Sequence, residues 1–298
     1  MEDGRYPSGF RKIERFGKIM EYSLAQLQKK ARLIRQDVIK MLVRAGSGHP
    51  AGSLGLADVF TALYFSILNY HSEKPDWPER DRFVLSCGHV CPVYYAAMAR
   101  AGFFPIKELL TLRQFGSRLQ GHPHNLALPG VEASSGPLGQ GISQAIGMAL
   151  AGRLERAGWR AVCLMSDGEQ QEGQTWEALM FAGKEKLNNL TAIVDRNNIQ
   201  ISGPIEEVMP LEPLRKKYQA FGWHVLEING HSFEEIIEAF AQAKSVWGKP
   251  TIIIAHTIAG KGVSFMENLP EWHGKAPTPQ EAEKALKELG IRLQEIRG

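Results

Sequence analysis

The second half of the chain alternates short, almost wholly apolar segments with amphipathic helices, and this alternation limits the possible folds more than any other feature. Strands are predicted at residues 82–86, 161–165, 191–194, 223–228 and 250–255. The predicted helices are residues 23–44, 56–67, 93–101, 142–156, 175–186, 232–245 and 280–289. Apolar runs without polar alternation are typical of parallel strands that are buried on both faces. We therefore predict an α/β fold, a parallel sheet with helices on both faces.

The same pattern divides the chain into three parts. Residues 1–22 are predicted to form a weakly ordered N-terminal arm, residues 23–278 an α/β domain and residues 279–298 a C-terminal helix. A loop rich in glycine is predicted at residues 45–53, between the first two helices. Because parallel sheets bind ligands at the carboxyl ends of their strands, we expect the loops that follow the strands to carry the function.

Composition excludes several classes of protein. The 298 residues carry a formal net charge of +3 without a dense basic run, so nucleic acid is not an expected partner. No apolar run reaches the ~18–20 residues of a membrane span, and residues 1–17 lack the apolar core of a secretory signal. The three cysteines, Cys87, Cys91 and Cys163, are too few and too scattered for a disulfide framework. We expect a cytoplasmic protein.

Polar side chains follow two predicted strands that are consecutive along the chain. Asp167 comes directly after the strand at 161–165, and Asn197 follows the strand at 191–194. If these strands are neighbours, the two side chains and a backbone carbonyl form half of an octahedral oxygen shell, which Mg²⁺ completes with phosphate and water. The alternative is that Asp167 and Asn197 only cap helices or turns.

Glycine-rich segments offer a second candidate site. Residues 132–141 contain three glycines and lead into a predicted helix, whose N-terminus presents free N–H groups to an anion. The alternative is a tight loop whose glycines serve turns alone. The chain lacks the nucleoside-triphosphatase pattern Gly-x-x-x-x-Gly-Lys-Ser/Thr. Residues 46–51 fit the spacing of a dinucleotide motif, but they follow a helix rather than a strand, so this match is a false positive.

Four of the nine histidines lie beside glycines in predicted loops: His49, His89, His122 and His273. Histidines in such loops are suited to binding a hydroxylated or phosphorylated ligand and to moving protons near neutral pH. Their spacing is not that of a zinc site. The other loop histidines are interpreted as surface residues: His71, His224, His231 and His256.

Taken together, the segments resemble the N-terminal, diphosphate-binding domain of transketolase. The resemblance extends over residues 31–277, in the order of the family, and depends on eight motifs. They lie at residues 47–53, 81–89, 121–123, 129–141, 166–173, 195–198, 260–263 and 272–276. The thiamine diphosphate signature of the family is Gly-Asp-Gly followed about thirty residues later by Asn, and here Asn197 follows Asp167 by 30 residues.

The resemblance implies a role for each matching residue. Asp167, Asn197 and the Ile199 carbonyl would hold Mg²⁺, and Gly168 and Asn197 would contact the diphosphate of thiamine diphosphate. The segment that would line this cofactor with backbone groups consists of Gly136, Pro137 and Leu138. Among the histidines, the resemblance implies that His89 and His273 approach the diphosphate and the sugar, that His49 and His122 bind substrate hydroxyls, and that His49 and His273 transfer protons.

The implied activity is the transfer of a two-carbon ketol unit from a ketose phosphate to an aldose phosphate. Full transketolases are about twice as long and add a pyrimidine-binding and a C-terminal domain. We therefore expect the N-terminal subunit of a split transketolase, which needs a separate C-terminal chain as its partner in an α2β2 assembly. Two departures from the family pattern are Ser166 in place of the first signature glycine and His124 where many relatives have an acidic residue.

Two other functions stay open from the sequence. One is a subunit of a different thiamine diphosphate-dependent transferase or lyase, which product analysis with several ketose donors would distinguish. The other is a non-catalytic binding module that has kept the fold, which would not need an intact site for the metal.

Overall fold

The fold is built on a parallel sheet of five strands, as the computed structural model describes it for residues 22–291. The strand order is β1-β2-β3-β7-β6, and every pair of neighbours in this sheet is parallel. Its strands are β1 Arg82–Leu85, β2 Ala161–Ser166, β3 Leu190–Arg196, β6 His224–Asn229 and β7 Thr251–His256. The predicted parallel α/β fold is confirmed.

Helices connect the strands and cover both faces of the sheet. The α-helices are α1 Leu24–Ala45, α2 Pro50–Gly55, α3 Ala57–Ala62, α4 Cys91–Arg100, α5 Gly141–Leu154, α6 Gly173–Lys184, α7 Ile205–Val208, α8 Leu214–Ala220, α9 Phe233–Ser245 and α10 Pro279–Glu288. A π-helical turn, Leu63–Ile67, continues α3, and 3₁₀ turns occupy Gly88–Val90, Ile106–Thr111, Gly168–Gln171 and Pro270–Trp272. A short hairpin pairs β4 Ile199–Gln200 with β5 Gly203–Pro204. Within residues 22–291, no helix has the length and apolar character that crossing a membrane requires.

Alternate side chains of each strand enter two different hydrophobic cores. Leu164 of β2 packs in the core that also contains residues of α1, α3, α4, α9 and α10. Cys163 of the same strand packs in the opposite core, with residues of α5, α6 and α8. This two-sided burial explains why β2 and β7 are apolar along most of their length, whereas β6, at the edge of the sheet, is half-buried and carries polar residues.

Comparison with the sequence shows which elements were predicted and which were not. Each predicted helix and strand has its counterpart within two residues at either end. The loop prediction for residues 45–53 is wrong in its second half, because α2 begins at Pro50, which needs no hydrogen-bond partner at the first helical position. The small elements between residues 199 and 220 were also not predicted. The predicted arm lies outside the described residues except for Tyr22, as does the last part of the predicted C-terminal segment, residues 292–298.

Candidate functional site

The carboxyl ends of β2 and β3 meet at one corner of the sheet edge. The two strands are neighbours, with Ser166 opposite Asp195, and the Asp167 N–H donates to the Asp195 carbonyl at 3.1 Å. The Asp167 side chain is buried, and one of its oxygens accepts the Asn198 N–H at 2.6 Å. Its other oxygen accepts the Gly168 N–H at 2.8 Å. The loops after the two strands are therefore in direct contact through Asp167.

Asn197 lies in the same corner, directly before this contact. Asn198 adopts a left-handed conformation with φ of 64°, which asparagine tolerates better than most residues and which turns its N–H toward Asp167. The Asn197 side chain is buried; its amide donates to an Asp195 oxygen at 2.7 Å, and its own oxygen accepts the Ile199 N–H at 3.0 Å. The second lone pair of that oxygen is available to a cation. Asp167, Asn197 and Ile199, whose oxygens were predicted to bind a metal, thus lie in one corner of the sheet edge. Their roles as ligands stay predictions.

The charge in this corner is unbalanced. Burial raises the pKa of Asp167 to about 6, against the opposing effects of the Asn198 N–H and of Arg196. Burial, together with the nearby charge of Asp167, raises the pKa of Asp195 to about 7. The Arg196 guanidinium lies 3.5 Å from Asp167 and binds Glu206 at 2.6 Å at the same time. Asp167 therefore shares its one cationic neighbour with Glu206 and Glu212, and Asp195 forms no ion pair among the described residues. This setting favours a further positive ion.

The donor atoms in the corner suit a hard cation. They are carboxylate, amide and carbonyl oxygens, which Mg²⁺ prefers. Among the described residues, no group of three or more His, Cys, Asp or Glu side chains could hold a metal ion, so a zinc-type centre is not part of this region of the chain. The oxygen set of Asp167, Asn197 and Ile199 fits the ion that the sequence predicted.

The segment Gly136, Pro137 and Leu138 forms a wall beside the loop that follows β1. Gly136 has φ of 151°, and a Cβ added there would lie 3.6 Å from the His122 ring. A Cβ added at Gly88 would lie 2.4 Å from the Ser135 hydroxyl, so the loop that carries His89 is pressed directly against this wall. Gly88 allows the loops to approach so closely, and at position 136 the positive φ favours glycine.

Three of the four predicted histidines form a triangle of rings. The ring centroids of His49 and His89 are 5.1 Å apart, those of His49 and His273 5.5 Å, and those of His89 and His273 5.3 Å. His49 is the residue before α2, and the other two follow β1 and the 3₁₀ turn at Pro270–Trp272. Loops that are far apart in the chain therefore meet at one place.

Burial keeps these rings neutral. Burial and the neighbouring charges of His273, Arg113 and His122 lower the pKa of His49 to about 4. Burial, with the other histidines nearby, lowers the pKa of His89 to about 3. Burial also lowers the pKa of His273. At pH 7 each ring therefore has one N–H donor and one acceptor nitrogen.

The fourth predicted histidine, His122, lies against Gly136 and is more exposed than the triangle. Burial, and then the nearby Arg113 charge, lower its pKa. Two buried polar atoms close to these rings, His49 Nδ1 and the Ser135 hydroxyl, have no hydrogen-bond partner among the described residues. Buried polar atoms are rarely left unpaired, so this region is suited to a polar ligand.

Several polar residues of the site were not found from the sequence. Ser86, Glu169 and Gln174 hydrogen-bond the backbone around the wall, and Arg196 contacts Asp167. Glu169 and Gln174 stand in or next to the motif at 166–173, which was the available signal. The interpretation of His231 as a surface residue is wrong: its ring is largely buried and bridges Asp58 and the Ile258 N–H, each at 2.8 Å.

Known proteins that are similar in sequence and structure indicate the family of the chain. Residues 26–296 match the family described as "Transketolase, thiamine diphosphate binding domain". The chain belongs to the transketolase family. The sequence-based prediction of the family, and of its class of thiamine diphosphate-dependent transferases, is therefore confirmed.

Two relatives of similar length match nearly from end to end. The chain is 43% identical, over 262 residues, to one subunit of the apulose-4-phosphate transketolase of Phocaeicola vulgatus, and the match covers 88% of this chain and 93% of the relative. It is 44% identical, over 263 residues, to one subunit of the 6-deoxy-6-sulfo-D-fructose transketolase of Clostridium sp., and here the match covers 88% of this chain and 96% of the relative.

Longer relatives match over less than half of their length. Human transketolase is 40% identical over 286 residues, which are 95% of this chain and 45% of the human protein. The solved structure of transketolase from Campylobacter jejuni superimposes with a TM-score of 0.85 at 35% identity, covering 91% of this chain and 43% of that chain.

Proposed function

We propose that this chain is the N-terminal subunit of a two-chain transketolase. It binds Mg²⁺ and thiamine diphosphate and, once paired with a C-terminal chain, transfers a two-carbon ketol unit from a ketose phosphate to an aldose phosphate. One observation carries the proposal: the acidic corner at Asp167, the wall at residues 136–138 and the neutral histidine triangle converge on one edge of the sheet.

In this proposal residues 23–278 are the diphosphate-binding domain, and the acidic corner holds the metal and the diphosphate. Asp167, Asn197 and the Ile199 carbonyl are the Mg²⁺ ligands, because their oxygens are a hard donor set and the one cation near Asp167, Arg196, is shared with two glutamates. Gly168 and Asn197 contact the diphosphate, and residues 136–138 line the cofactor with peptide groups. When bound, the thiazolium ring of thiamine diphosphate supplies an electron sink for cleavage of a carbon–carbon bond.

The histidines bind the sugar and move protons. Their depressed pKa values keep the rings neutral at pH 7, so each can accept one hydrogen bond and donate another. His49 and His122 bind substrate hydroxyls, His89 and His273 lie against the diphosphate and the sugar, and His49 and His273 exchange protons with the ketose oxygens. The unpaired Nδ1 of His49 supports this role.

The dependence on a partner is supported by the relatives that match over nearly their whole length, since these are named as subunits of transketolases. The proposed partner is a C-terminal transketolase subunit with a pyrimidine-binding domain, in an α2β2 assembly. All three cysteines are free and buried, which supports a reducing, cytoplasmic location.

The decisive experiment is titration of the full chain with thiamine diphosphate, with and without Mg²⁺, followed by a ketol-transfer assay in the presence of the partner chain. We expect Mg²⁺-dependent binding that Asp167→Ala abolishes, and transfer only by the pair. A control variant, Glu227→Gln, alters an exposed ion pair on β6 and should bind like the wild type. Turnover by the chain alone would contradict partner dependence, and binding without transfer by the pair would favour a non-catalytic module.

A further inference from the structure

A buried glutamate links the two halves of the candidate site. The Glu169 side chain is fully buried in the 3₁₀ turn that follows β2. One carboxylate oxygen accepts the Gly139 N–H at 2.6 Å and also accepts a short hydrogen bond from the Ser86 hydroxyl. The other oxygen accepts the Ser166 N–H at 3.1 Å. Glu169 therefore joins the end of β2, one residue before Asp167, to the segment that continues the wall.

Two more side chains hold the same turn of backbone. The Ser86 hydroxyl, at the end of β1, accepts the Gly141 N–H at 3.0 Å, and the Gln174 amide donates to the Leu138 carbonyl at 3.0 Å. A Cβ added at Gly141 would lie 2.5 Å from the Ser86 Cβ, so a larger residue there would push the turn away. The peptide groups at positions 138, 139 and 141 are thus each held by a side chain. We call this set the turn clamp: Ser86, Glu169 and Gln174.

The chemistry of Glu169 indicates positioning rather than general stabilisation. In the part of the chain that the structure describes, the Glu169 carboxylate forms no salt bridge, and its partners are the two N–H groups and the hydroxyl named above. A buried carboxylate costs free energy in desolvation, and here its hydrogen bonds to three donors offset that cost. What a carboxylate provides here is an acceptor that binds two separate segments at fixed distances. These segments are the ones that carry Asp167 and the wall.

We propose that Glu169 is a positioning residue that sets the separation between the metal corner at Asp167 and the cofactor-lining wall at residues 136–138. The proposal rests on the proposed function, since it assigns these two regions to the metal and the cofactor. Without the carboxylate, the turn at residues 138–141 loses its attachment to β2, and the two halves no longer present their groups to one ligand together.

The test compares Glu169→Ala and Glu169→Gln with the wild-type full chain, using thiamine diphosphate with Mg²⁺ as the probe. Loss of residues that orient a metal site typically costs 10–100-fold in affinity, so we expect the dissociation constant to rise about 10–100-fold for Glu169→Ala. Glu169→Gln keeps one acceptor oxygen for Gly139 and Ser86, but it turns an NH₂ group toward the Ser166 N–H. We therefore expect an intermediate increase.

A second readout does not depend on the cofactor. Hydrogen exchange of the Gly139 and Gly141 amides, measured without ligand, should be at least about tenfold faster in Glu169→Ala than in the wild type, because local opening of the turn becomes easier. Leu179→Ala is the matched control: it removes a buried side chain from the same side of the sheet and lowers stability without touching the turn clamp. It should leave both the dissociation constant and the exchange of these two amides unchanged.

The outcomes separate this inference from the proposed function. If the wild type binds no thiamine diphosphate, the proposed function fails, while amide exchange still tests the attachment. If Glu169→Ala binds as tightly as the wild type, or exchanges Gly139 and Gly141 at the wild-type rate, the positioning role is wrong. If Glu169→Ala does not fold, Glu169→Gln and Ser86→Ala carry the same test, because each weakens one attachment of the turn.

Discussion

Two buried aspartates in this protein have similar exposure and opposite surroundings. Asp58 of α3 accepts two hydrogen bonds from the Arg35 guanidinium, at 2.6 and 3.1 Å, and one from the His231 ring at 2.8 Å. Asp167 accepts two backbone N–H groups, and its one cationic neighbour among the described residues is the Arg196 guanidinium 3.5 Å away. Burial alone raises the pKa of both carboxyl groups; at Asp58 the bonds from His231 and Arg35 outweigh burial and lower it, whereas at Asp167 burial prevails.

The difference separates a buried carboxylate that is fully paired within the protein from one that we propose as a metal ligand. The donors around Asp58 are themselves fixed, because Arg35 also donates to the Leu54 carbonyl at 3.1 Å and the His231 ring also accepts the Ile258 N–H at 2.8 Å. That network is closed and ties α1, α3 and the loops after β6 and β7 together. Asp167 is less completely paired, since its one cationic neighbour among the described residues, Arg196, also binds Glu206 and Glu212. An ion from solution is the missing component in our proposal.

The largest expected effect on stability comes from removing the Asp58 carboxylate from its network with Arg35 and His231. Asp58→Asn leaves the buried Arg35 guanidinium without its counter-charge, and breaking a buried pair on one side costs roughly 3–5 kcal/mol. We expect a loss of this size in the free energy of unfolding, measured by urea denaturation at pH 7. A loss below about 1 kcal/mol would mean that the Asp58 ion pair contributes little to stability. The predicted difference in stability between the Asp58 and Asp167 variants would then disappear.

The second effect concerns the contribution of one histidine of the candidate site to acid sensitivity. His89 has a folded pKa of about 3 against an ordinary 6.5, so below pH 6.5 the unfolded chain takes up this proton first, and the contribution of His89 to stability falls as the pH drops. This histidine alone contributes up to ~1.4 kcal/mol per pH unit in that window. His89→Gln should flatten the dependence of the unfolding free energy on pH between about 6.5 and 4.5. Asp58, whose folded pKa is lowered, loses its contribution to stability only at more acidic pH. Equal slopes of the unfolding free energy against pH for the wild type and for His89→Gln would contradict the prediction for His89.

The smallest expected effect is on stability when the open carboxylate is neutralised. Asp167→Asn removes a buried charge that Arg196 balances only in part, and Arg196 keeps its bonds to Glu206 and Glu212. The new NH₂ group faces one of the two backbone N–H groups that Asp167 accepts. We therefore expect the free energy of unfolding at pH 7 to fall by about 1–2 kcal/mol, less than for Asp58→Asn. Urea denaturation without Mg²⁺ measures it. A loss of several kcal/mol would place Asp167 in the frame of the protein rather than in its site.

The framework could be predicted well because local patterns encode it. Most strands contain a run of apolar residues, and several helices have apolar residues at three- and four-residue spacing, so the alternation of strands and helices could be predicted directly. The proximity of the loops after β2 and β3 followed from parallel pairing, and the Asp167 to Asn198 hydrogen bond confirms that proximity. Binding of Mg²⁺ and thiamine diphosphate there stays a prediction.

Long-range polar contacts could not be predicted from the sequence. His231 and Asp58 are separated by 173 positions, and nothing in either local segment indicates that they meet. Glu169 stands inside a predicted motif, but its role depends on Ser86 and Gly139, which come from two other loops. The start of α2 inside the glycine-rich loop was missed as well, since proline and glycine there predicted a turn. Pairings of this kind depend on the packing of distant segments rather than on residue spacing.

The spacing of the histidine triangle limits how much charge it can carry. With ring centroids 5.1 to 5.5 Å apart and no carboxylate paired with them in the described residues, protonation of one imidazole makes protonation of the next harder. The triangle therefore accommodates at most one positive charge. In the proposed function, a step that requires two protons at once would take the second from water or from a group supplied by another molecule.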